Sequence, residues 1–286
     1  MTTATANLLR ATAPFRPEPR FHVYPPYHRG PYLEAYFYQY TQRHPLPGKR
    51  QYLPIFWTHC YNNRGFRIHA LQRFLNTLDP NGAYFTVCLH ADAPREKLPA
   101  NTLVFSAGGN RGNHPLPLVC SPVPAQKPVK RDVLCSFTGS ATHPVRTELQ
   151  QLFGNQPGYD IRVRPWKARV PRQEQSTFLE LANRSVFSLC PRGYGKTSYR
   201  LYEVLQLGSI PVYVYDQPWL PYEKLVDWKQ LAVLVPTTKV KDLDRILRSY
   251  RPDRIEAMRQ RLREAYPRHF SLEAVCRYIY SQLQHA

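Results

Sequence analysis

Residues 191–200, PRGYGKTSYR, combine glycines, basic side chains and hydroxyls in a pattern that suits phosphate binding. The G-K-T at 195–197 matches the end of a Walker-type loop, G-x-x-x-x-G-K-[ST]. The position five residues before the second glycine of that motif is Cys190, and the preceding glycine is Gly193. The loop therefore has the wrong length to wrap a triphosphate, which argues against a P-loop nucleoside triphosphatase and leaves other phosphate sites open.

The segments around this loop predict how it is held. VFSLC before it reads as a strand, SYRLYEVLQL after it as a helix, and IPVYVY as a second strand. Gly208 stands where the C-terminus of a helix favours glycine. Free N–H groups and the positive end of the helix dipole, near Ser198, then face the loop. This arrangement predicts a diphosphate site at the carboxyl end of a parallel sheet.

Polar side chains on and after the loop are the candidate ligands of that diphosphate. They are Arg192, Gly193 (through its backbone), Tyr194, Lys196, Thr197, Ser198 and Arg200. Glu203 follows one turn into the helix, where a carboxylate could accept hydrogen bonds from the two hydroxyls of a ribose. The alternative is that Arg200 and Glu203 form an ordinary surface ion pair.

Strands and helices alternate along the whole chain, which is typical of an α/β fold with a mostly parallel sheet. The predicted strands are 21–26, 51–57, 83–90, 102–108, 116–120, 132–140, 159–164, 186–190 and 210–216. The predicted helices are 31–40, 66–78, 145–153, 176–184, 198–207, 241–249, 252–265 and 271–284. A proline- and lysine-rich segment, 121–131, lacks periodicity and is the candidate interdomain linker.

Composition narrows the class of protein further. The 286 residues contain 39 Lys and Arg against 20 Asp and Glu, a formal net charge of +19. Such a charge favours a polyanionic partner or a negatively charged ligand.

The six cysteines form no C-x-x-C pair and lie mostly in apolar runs, which predicts buried free thiols. We find no secretory signal and no apolar run of membrane-spanning length, and we expect a soluble intracellular protein.

The clearest resemblance lies at 185–235. The pattern S-x-F-x-L-C-P-R-G-x-G-x-x-S-x-R-L-Y-E-x-L-x-x-G-x-I-P-V, followed by YDQPWLPYEKLVDWKQLAVLV, closely resembles the donor-binding part of the exostosin-like glycosyltransferases, glycosyltransferase family 47. Weaker likenesses are FHVYPPY near the start, QYLPIFW, YFTVCLHADAP and LCSFTGSATHPVR. The resemblance thus extends, more loosely, over nearly the whole chain.

The resemblance implies a GT-B architecture, in which two Rossmann-like α/β/α domains face a cleft closed by C-terminal helices. We expect an N-terminal acceptor-binding domain at 1–125 and a C-terminal nucleotide-sugar-binding domain at 126–265. A C-terminal helix at 266–286 is expected to pack back on the N-terminal domain.

The activity implied is transfer of a sugar from a UDP-sugar to a hydroxyl of an acceptor glycan or glycoprotein, with inversion and without a metal or other cofactor. UDP-xylose is the first expectation and UDP-galactose the second. The Gly139–Ser140 turn and Arg146 would add a second N–H cradle for the diphosphate. Asp242 and Asp244 have the spacing of a metal motif, but they lie in a predicted amphipathic helix, so no metal site is expected.

An inverting transfer needs a base on the acceptor side. Asp92 is the first candidate, then His59 and His90, because all three follow predicted strands, and Glu34 is a more remote fourth. Three further residues are candidate contacts of the donor or acceptor sugar: Asp216, Asn62 and Arg64. Asp216 could instead cap a turn, and the last two could belong to a plain polar turn.

Two other interpretations stay open. One is a glycan- or nucleotide-binding protein that keeps the fold without catalysis, and the other is a basic nucleic-acid-binding protein. We expect no nucleic-acid partner, because the charge is spread along the chain and is not concentrated in one arm. Animal and plant relatives carry a Golgi membrane anchor, and the lack of a predicted one here favours a cytoplasmic enzyme of microbial or viral origin.

Overall fold

The computed structural model describes residues 3–17, 32–62, 68–119, 122–167 and 170–286. The chain divides into two compact units. The first contains the described residues up to Pro117 together with Leu272–Ala286, and the second contains Leu118–Ser271. The strand predicted at 21–26 lies outside the described residues.

The first unit is built on a four-stranded parallel sheet in the order β1-β2-β3-β4. Its elements are α1 (Thr3–Thr12), α2 (Leu33–Arg43), β1 (Gln51–Tyr52), α3 (Trp57–Asn62), α4 (Ile68–Leu75), β2 (Tyr84–Cys88), β3 (Thr102–Ser106) and β4 (His114–Pro115). The central strand β2 is buried along its full length, because helices cover the sheet. Phe85 and Phe105 pack edge to face within this core.

The second unit has a five-stranded parallel sheet in the order β6-β5-β7-β8-β9. Its elements are β5 (Val133–Ser140), α5 (Pro144–Phe153), β6 (Tyr159–Arg164), α6 (Arg172–Arg184), β7 (Ser185–Pro191), α7 (Tyr199–Leu207), β8 (Ile210–Tyr215), β9 (Val233–Pro236), α8 (Leu243–Arg248) and α9 (Pro252–Ala265). The chain steps outward from β5 to β6 and then returns to the other side of β5 as β7. The strand order therefore reverses between β5 and β7, which is where doubly wound sheets bind ligands.

Helix α10 (Leu272–Gln284) belongs to the first unit, although it follows the second in sequence. It packs on α2: the Tyr280 ring lies 5.3 Å from that of Tyr40 and 6.1 Å from that of Phe37. The Tyr280 hydroxyl also donates to the His44 carbonyl at 2.7 Å. Gly48 has φ +75°, and a Cβ there would lie 2.4 Å from the Leu283 carbonyl oxygen, so this turn requires glycine.

The α/β class with parallel sheets, predicted from the sequence, is confirmed. The helices predicted at 31–40, 252–265 and 271–284 are present as α2, α9 and α10. The helix predicted at 66–78 is described from Ile68 and ends at Leu75, three residues earlier than predicted. The GT-B cleft and the domain boundaries remain predictions.

Two strand predictions were wrong, and prolines explain both. The predicted strand 51–57 pairs only at Gln51–Tyr52, because Pro54 has no N–H to continue the ladder. Ile55 N donates to the Leu53 carbonyl at 2.9 Å, and the chain then enters α3.

The predicted strand 116–120 is absent from its described part, 116–119. The pairing with β3 occurs earlier, at His114–Pro115. Leu116 N still reaches the Ser106 carbonyl at 2.9 Å, but Pro117 has no N–H to offer next.

No helix in the described part of the chain is both long enough and apolar enough to cross a bilayer.

Candidate active site

The carboxyl ends of β5 and β7 carry the candidate site of the second unit. The turn after β5 leads into α5, and the basic loop (residues 192–198) leads from β7 into α7. Both helices begin with a side-chain cap: His143 Nδ1 accepts from Val145 N, and Ser198 Oγ accepts from Arg200 N, each at 3.3 Å. Two helix N-termini therefore point their free N–H groups toward the reversal point of the sheet.

Helix α7 begins and ends as its sequence predicts. Ser198 is its N-cap, and Gly208 ends it in the left-handed conformation at φ 65°. Most of its side chains are buried, including Tyr202 and Glu203. The cap fixes the Ser198 hydroxyl at the start of the helix.

Hydrogen bonds tie the basic loop down at both ends. Gly193 N donates to the Thr197 carbonyl at 3.1 Å and closes the turn. The buried Tyr213 hydroxyl donates to the Lys196 carbonyl at 2.8 Å and accepts from Trp219 N at 3.0 Å. The loop is thus a formed turn anchored on β8.

Arg146, in the first turn of α5, is buried beneath the basic loop. Its guanidinium donates to four oxygens: Arg192 O, Ser140 O and Pro191 O at 2.9 Å, and Ser198 Oγ at 3.3 Å. These bonds join the turn after β5 to the loop after β7. The structure therefore gives Arg146 a scaffold role, and its direct contact with a diphosphate stays a prediction.

Two glycines lie close to other side chains around this arginine. A Cβ at Gly193 would lie 3.2 Å from Arg146 Nη2, and one at Gly139 would lie 2.5 Å from the Phe137 ring. Gly193 lets the basic loop lie close to Arg146, and Gly139 leaves room for the Phe137 ring of its own strand. Ser140 beside Gly139 is half-buried, and Tyr194 at the tip of the basic loop is 63% exposed.

Arg192 and Asp216 form an ion pair across the ends of β7 and β8. Arg192 Nη1 lies 2.7 Å from both carboxylate oxygens of Asp216. Partial burial raises the pKa of Asp216, but hydrogen bonds from Arg192 and Gln217 N outweigh it, and the pKa is lowered overall. Lys196 lies near the same edge, with its ammonium 5.5 Å from the centre of the Trp219 ring.

Arg200 and Glu203 are indeed a pair, but not a surface one. Arg200 Nη1 donates to Glu203 Oε2 at 2.7 Å, and the two side chains are only 17% and 5% exposed. Arg200 also donates to the Thr138 carbonyl at 2.7 Å and lies 3.4 Å over the Phe178 ring. Burial raises the pKa of Glu203, and Arg200 opposes this.

Arg200 and Glu203 line an open cavity of about 50 Å³, whereas Arg192, Lys196 and Asp216 are not among its lining residues. Its wall includes Gly139, Ser140, Arg146, Ser198, Tyr199, Arg200 and Glu203, together with Phe137, Thr138, Arg164, Val170, Glu174, Gln175 and Phe178. Tyr199 and the residues of the second group were not among the predicted site residues. Arg164 ends β6 and pairs with Glu174 at 2.5 Å, so its place at the carboxyl edge of the sheet was the signal in the sequence.

The candidate bases lie in the first unit. His90 and Asp92 share the turn after β2, where Asp92 N donates to His90 Nδ1 at 3.2 Å. Asn110 Nδ2 donates to Asp92 Oδ1 at 2.8 Å, and Arg95 Nη2 lies 2.9 Å from Oδ2. The Asn110 bond is the largest of the effects that lower the pKa of Asp92.

The other predicted residues of this unit are dispersed. His59 lies within α3, and burial lowers its pKa, as it does for His90. Asn62 is exposed at the end of α3, and Arg64 lies outside the described residues. Glu34 is 1% exposed and faces the interior.

Asp242 and Asp244 pair with arginines. Asp242 lies 3.2 Å from Arg245, and Asp244 lies 2.9 Å from Arg248. In the described ranges, no three His, Cys, Asp or Glu side chains are grouped so that they could hold a metal ion.

Comparison with known proteins assigns the family. The Exostosin GT47 domain matches residues 74–250, which include the turn after β2, the basic loop and α7. The chain belongs to this family.

Relatives match over parts of their length. A protein of Arabidopsis thaliana named "Probable beta-1,4-xylosyltransferase IRX10" is 32% identical over 117 residues, 41% of this chain and 26% of the relative. The rice protein named "Probable glucuronosyltransferase GUT1" is 35% identical over 104 residues, 36% of this chain and 23% of the relative. Exostosin-1 of Drosophila melanogaster is 38% identical over 96 residues, 33% of this chain and 13% of the relative. The matched region thus spans about a quarter or less of each of these proteins.

Proposed function

We propose that this chain is a glycosyltransferase that moves a sugar from a UDP-sugar to a hydroxyl of an acceptor glycan, with inversion and without a required metal. The observation that carries the proposal is the convergence of two capped helix N-termini with Arg192 and Lys196 at the reversal point of the second sheet. Membership in the GT47 family supports it, since members similar to this chain carry glycosyltransferase names.

The second unit would stabilise the leaving UDP. When the bond between the anomeric carbon and the phosphate oxygen breaks, negative charge develops on the diphosphate. Asp216 holds Arg192, and the helix fixes the N–H groups at the start of α7, so these groups need little reorganisation to meet that charge. Lys196 would add its ammonium from the same loop. Arg200 holds Glu203 at the wall of the cavity, and the Glu203 carboxylate would accept hydrogen bonds from the ribose hydroxyls.

The first unit would supply the base. In a single displacement the acceptor oxygen attacks the anomeric carbon from the face opposite UDP, and its proton must go to a base. Asp92 is our first candidate, because Asn110 and Arg95 keep its carboxylate ionised and oriented. His59 and His90 remain the alternatives.

We propose a neutral donor sugar, UDP-xylose before UDP-galactose. A uronate donor places a second carboxylate on the sugar, and that group requires a cation. Arg192 Nη1 already lies 2.7 Å from both carboxylate oxygens of Asp216. Arg192 would therefore attract the carboxylate of a uronate less strongly than an unpaired arginine would. Asp216 could also accept a hydrogen bond from a hydroxyl of a neutral sugar.

The test is thermal unfolding of the purified protein with UDP, other nucleoside diphosphates and a panel of UDP-sugars, all in EDTA. A ligand at 100 times its Kd should stabilise the protein by about 2.7 kcal/mol. Arg192→Ala should remove the shift, whereas Arg184→Ala should keep it, because Arg184 forms an exposed pair with Asp132 elsewhere in the second unit. No shift with any nucleotide would contradict a donor site.

The net charge of +19 makes nucleic-acid binding a rival function that an experiment can test. A nucleic-acid-binding protein should bind DNA with an affinity that falls steeply with salt. We expect only weak DNA binding that UDP does not displace. A protein that binds UDP-sugars but releases no UDP from them would instead be the non-catalytic alternative.

A further inference from the structure

Glu34 is a buried carboxyl that the proposed reaction does not yet use. It lies in the first turn of α2 and is 1% exposed. The groups that face it are phenols and thiols, those of Tyr32, Tyr52, Cys60 and Cys88. An acid placed among such groups is costly unless hydrogen bonds compensate it.

One oxygen of this carboxyl takes all of its hydrogen bonds. Glu34 Oε1 accepts from Thr58 N at 3.1 Å, Thr58 Oγ1 at 2.7 Å and Leu89 N at 3.0 Å. The other oxygen, Oε2, is buried without a hydrogen-bond partner in the described part of the chain. Burial raises the pKa of Glu34, and the bonds from Leu89 and Thr58 oppose this.

The two donors are the immediate neighbours of candidate bases. Thr58 precedes His59 at the start of α3, and Leu89 precedes His90 in the turn after β2. Thr58 and Leu89 are 31 residues apart in sequence, and Oε1 bonds to both. Tyr61 also joins the two segments, since its hydroxyl accepts from Arg95 N and its ring lies 5.0 Å from that of His90.

We propose that Glu34 is a positioning residue for the acceptor side of the reaction, holding the His59 segment and the His90–Asp92 turn in register through Oε1. The predicted effect of Glu34 on kcat rests on the proposed glycosyltransferase function. The predicted effect on the positions of the two segments does not. Glu34 itself touches no substrate, because its carboxyl is enclosed.

The decisive pair of variants is Glu34→Gln and Glu34→Met. Glutamine keeps an acceptor oxygen at the Oε1 position, whereas methionine fills the space without one and leaves Thr58 N and Leu89 N unpaired. The matched control is Glu273→Met, which removes an exposed glutamate from the first turn of α10 in the same unit. Thr58→Val removes only the hydroxyl donor and serves if Glu34→Met fails to fold.

The first readout is the set of histidine ring signals in ¹H–¹³C spectra, assigned with His59→Gln and His90→Gln. Glu34→Met should shift both signals and leave those of His69 and His269 in place. Thr58→Val should shift the His59 signal, and Glu34→Gln and Glu273→Met should shift neither. If Glu34→Met folds and its His59 and His90 signals do not move, the inference is overturned. If Glu34→Met does not fold, unmoved His59 and His90 signals in Thr58→Val overturn it.

The second readout is UDP release from UDP-xylose or UDP-galactose, with methyl xyloside and methyl galactoside as acceptors. Glu34→Met should lower kcat by about tenfold to a hundredfold while the Kd for UDP stays unchanged, since misplacement by about 1 Å costs on that order. Glu34→Gln should restore kcat. An inactive but well-folded Glu34→Gln would overturn positioning, because the carboxyl itself would then be needed. Wild-type protein that releases no UDP would refute the proposed function and leave the spectra to decide this inference.

Discussion

Replacing Arg146 with methionine should destabilise the second unit and disable the basic loop together. The substitution keeps most of the apolar stem and removes the donors that hold Arg192 O, Ser140 O, Pro191 O and Ser198 Oγ. Each of these acceptors is buried or partly buried, and an acceptor left unpaired costs about 1–3 kcal/mol. The four are not independent, so we expect a total loss of about 3–5 kcal/mol, as for other broken buried charge networks.

Thermal unfolding and UDP titration measure the two consequences of this change. A loss of that size corresponds to a drop in Tm of roughly 6–20 °C for a domain of this size. Arg146→Lys should fall between wild type and methionine, because an ammonium cannot match the planar fork of donors. Arg162→Met is the control: Arg162 is 56% exposed and pairs with Asp160 on the same strand, so about 0.5 kcal/mol or less is expected.

Two results would refute the reasoning about Arg146. If Arg146→Met unfolded like Arg162→Met, the four bonds would not hold the loops together. If Arg146→Met lost UDP affinity by more than about tenfold without losing stability, Arg146 would contact the diphosphate directly. The scaffold role requires both stability and affinity to fall.

Three further predictions concern the same sites. If Asp92 is the base, kcat should stay flat from neutral pH down past 6, because the pKa of Asp92 is lowered. If His59 or His90 is the base, activity should be lost below pH 6.5, where an imidazole with a lowered pKa takes up its proton. Tyr213→Phe removes the hydroxyl that joins Lys196 O to Trp219 N, and we expect a loss of about 1–3 kcal/mol with weaker UDP binding; an unchanged urea midpoint would contradict this. Asp216→Asn frees Arg192 and should raise the relative rate with UDP-glucuronate over UDP-xylose, measured in competition, with unchanged selectivity as the refuting outcome.

The sequence predicts best where local signals and packing agree. Helix α9 was predicted at 252–265 and found there, because Pro252 begins it and its apolar side chains recur at helical spacing. Helix α7 was located by Ser198 and Gly208, both of which do in the structure what their residue types favour. The loop between β7 and α7 was located because glycines and basic residues directly before a helix suit phosphate binding at the helix N-terminus.

The sequence predicts least where a side chain acts across a long separation. The sequence predicts a diphosphate contact for Arg146, which stays a prediction, but no local pattern indicates that its guanidinium also bonds to backbone carbonyls after β5 and β7. Glu34 resembles any glutamate in a first helical turn until Thr58 and Leu89 are brought to it. The truncated strand at 51–57 shows the same limit, since a proline inside an apolar run does not reveal where pairing stops.

The assignment of α10 to the first unit has a consequence for how the protein is made. During translation, α2 and the sheet of the first unit emerge early, but the helix that covers α2 is synthesised only after all of Leu118–Ser271. The buried face of α10, formed by Ala274, Val275, Cys276, Ile279 and Leu283, therefore arrives last. The second unit can complete its sheet from contiguous sequence while the first still exposes the aromatic surface around Phe37. A chain that ends before residue 272 would thus contain every strand of the second sheet, while the face of α2 around Phe37 lacks the helix that covers it.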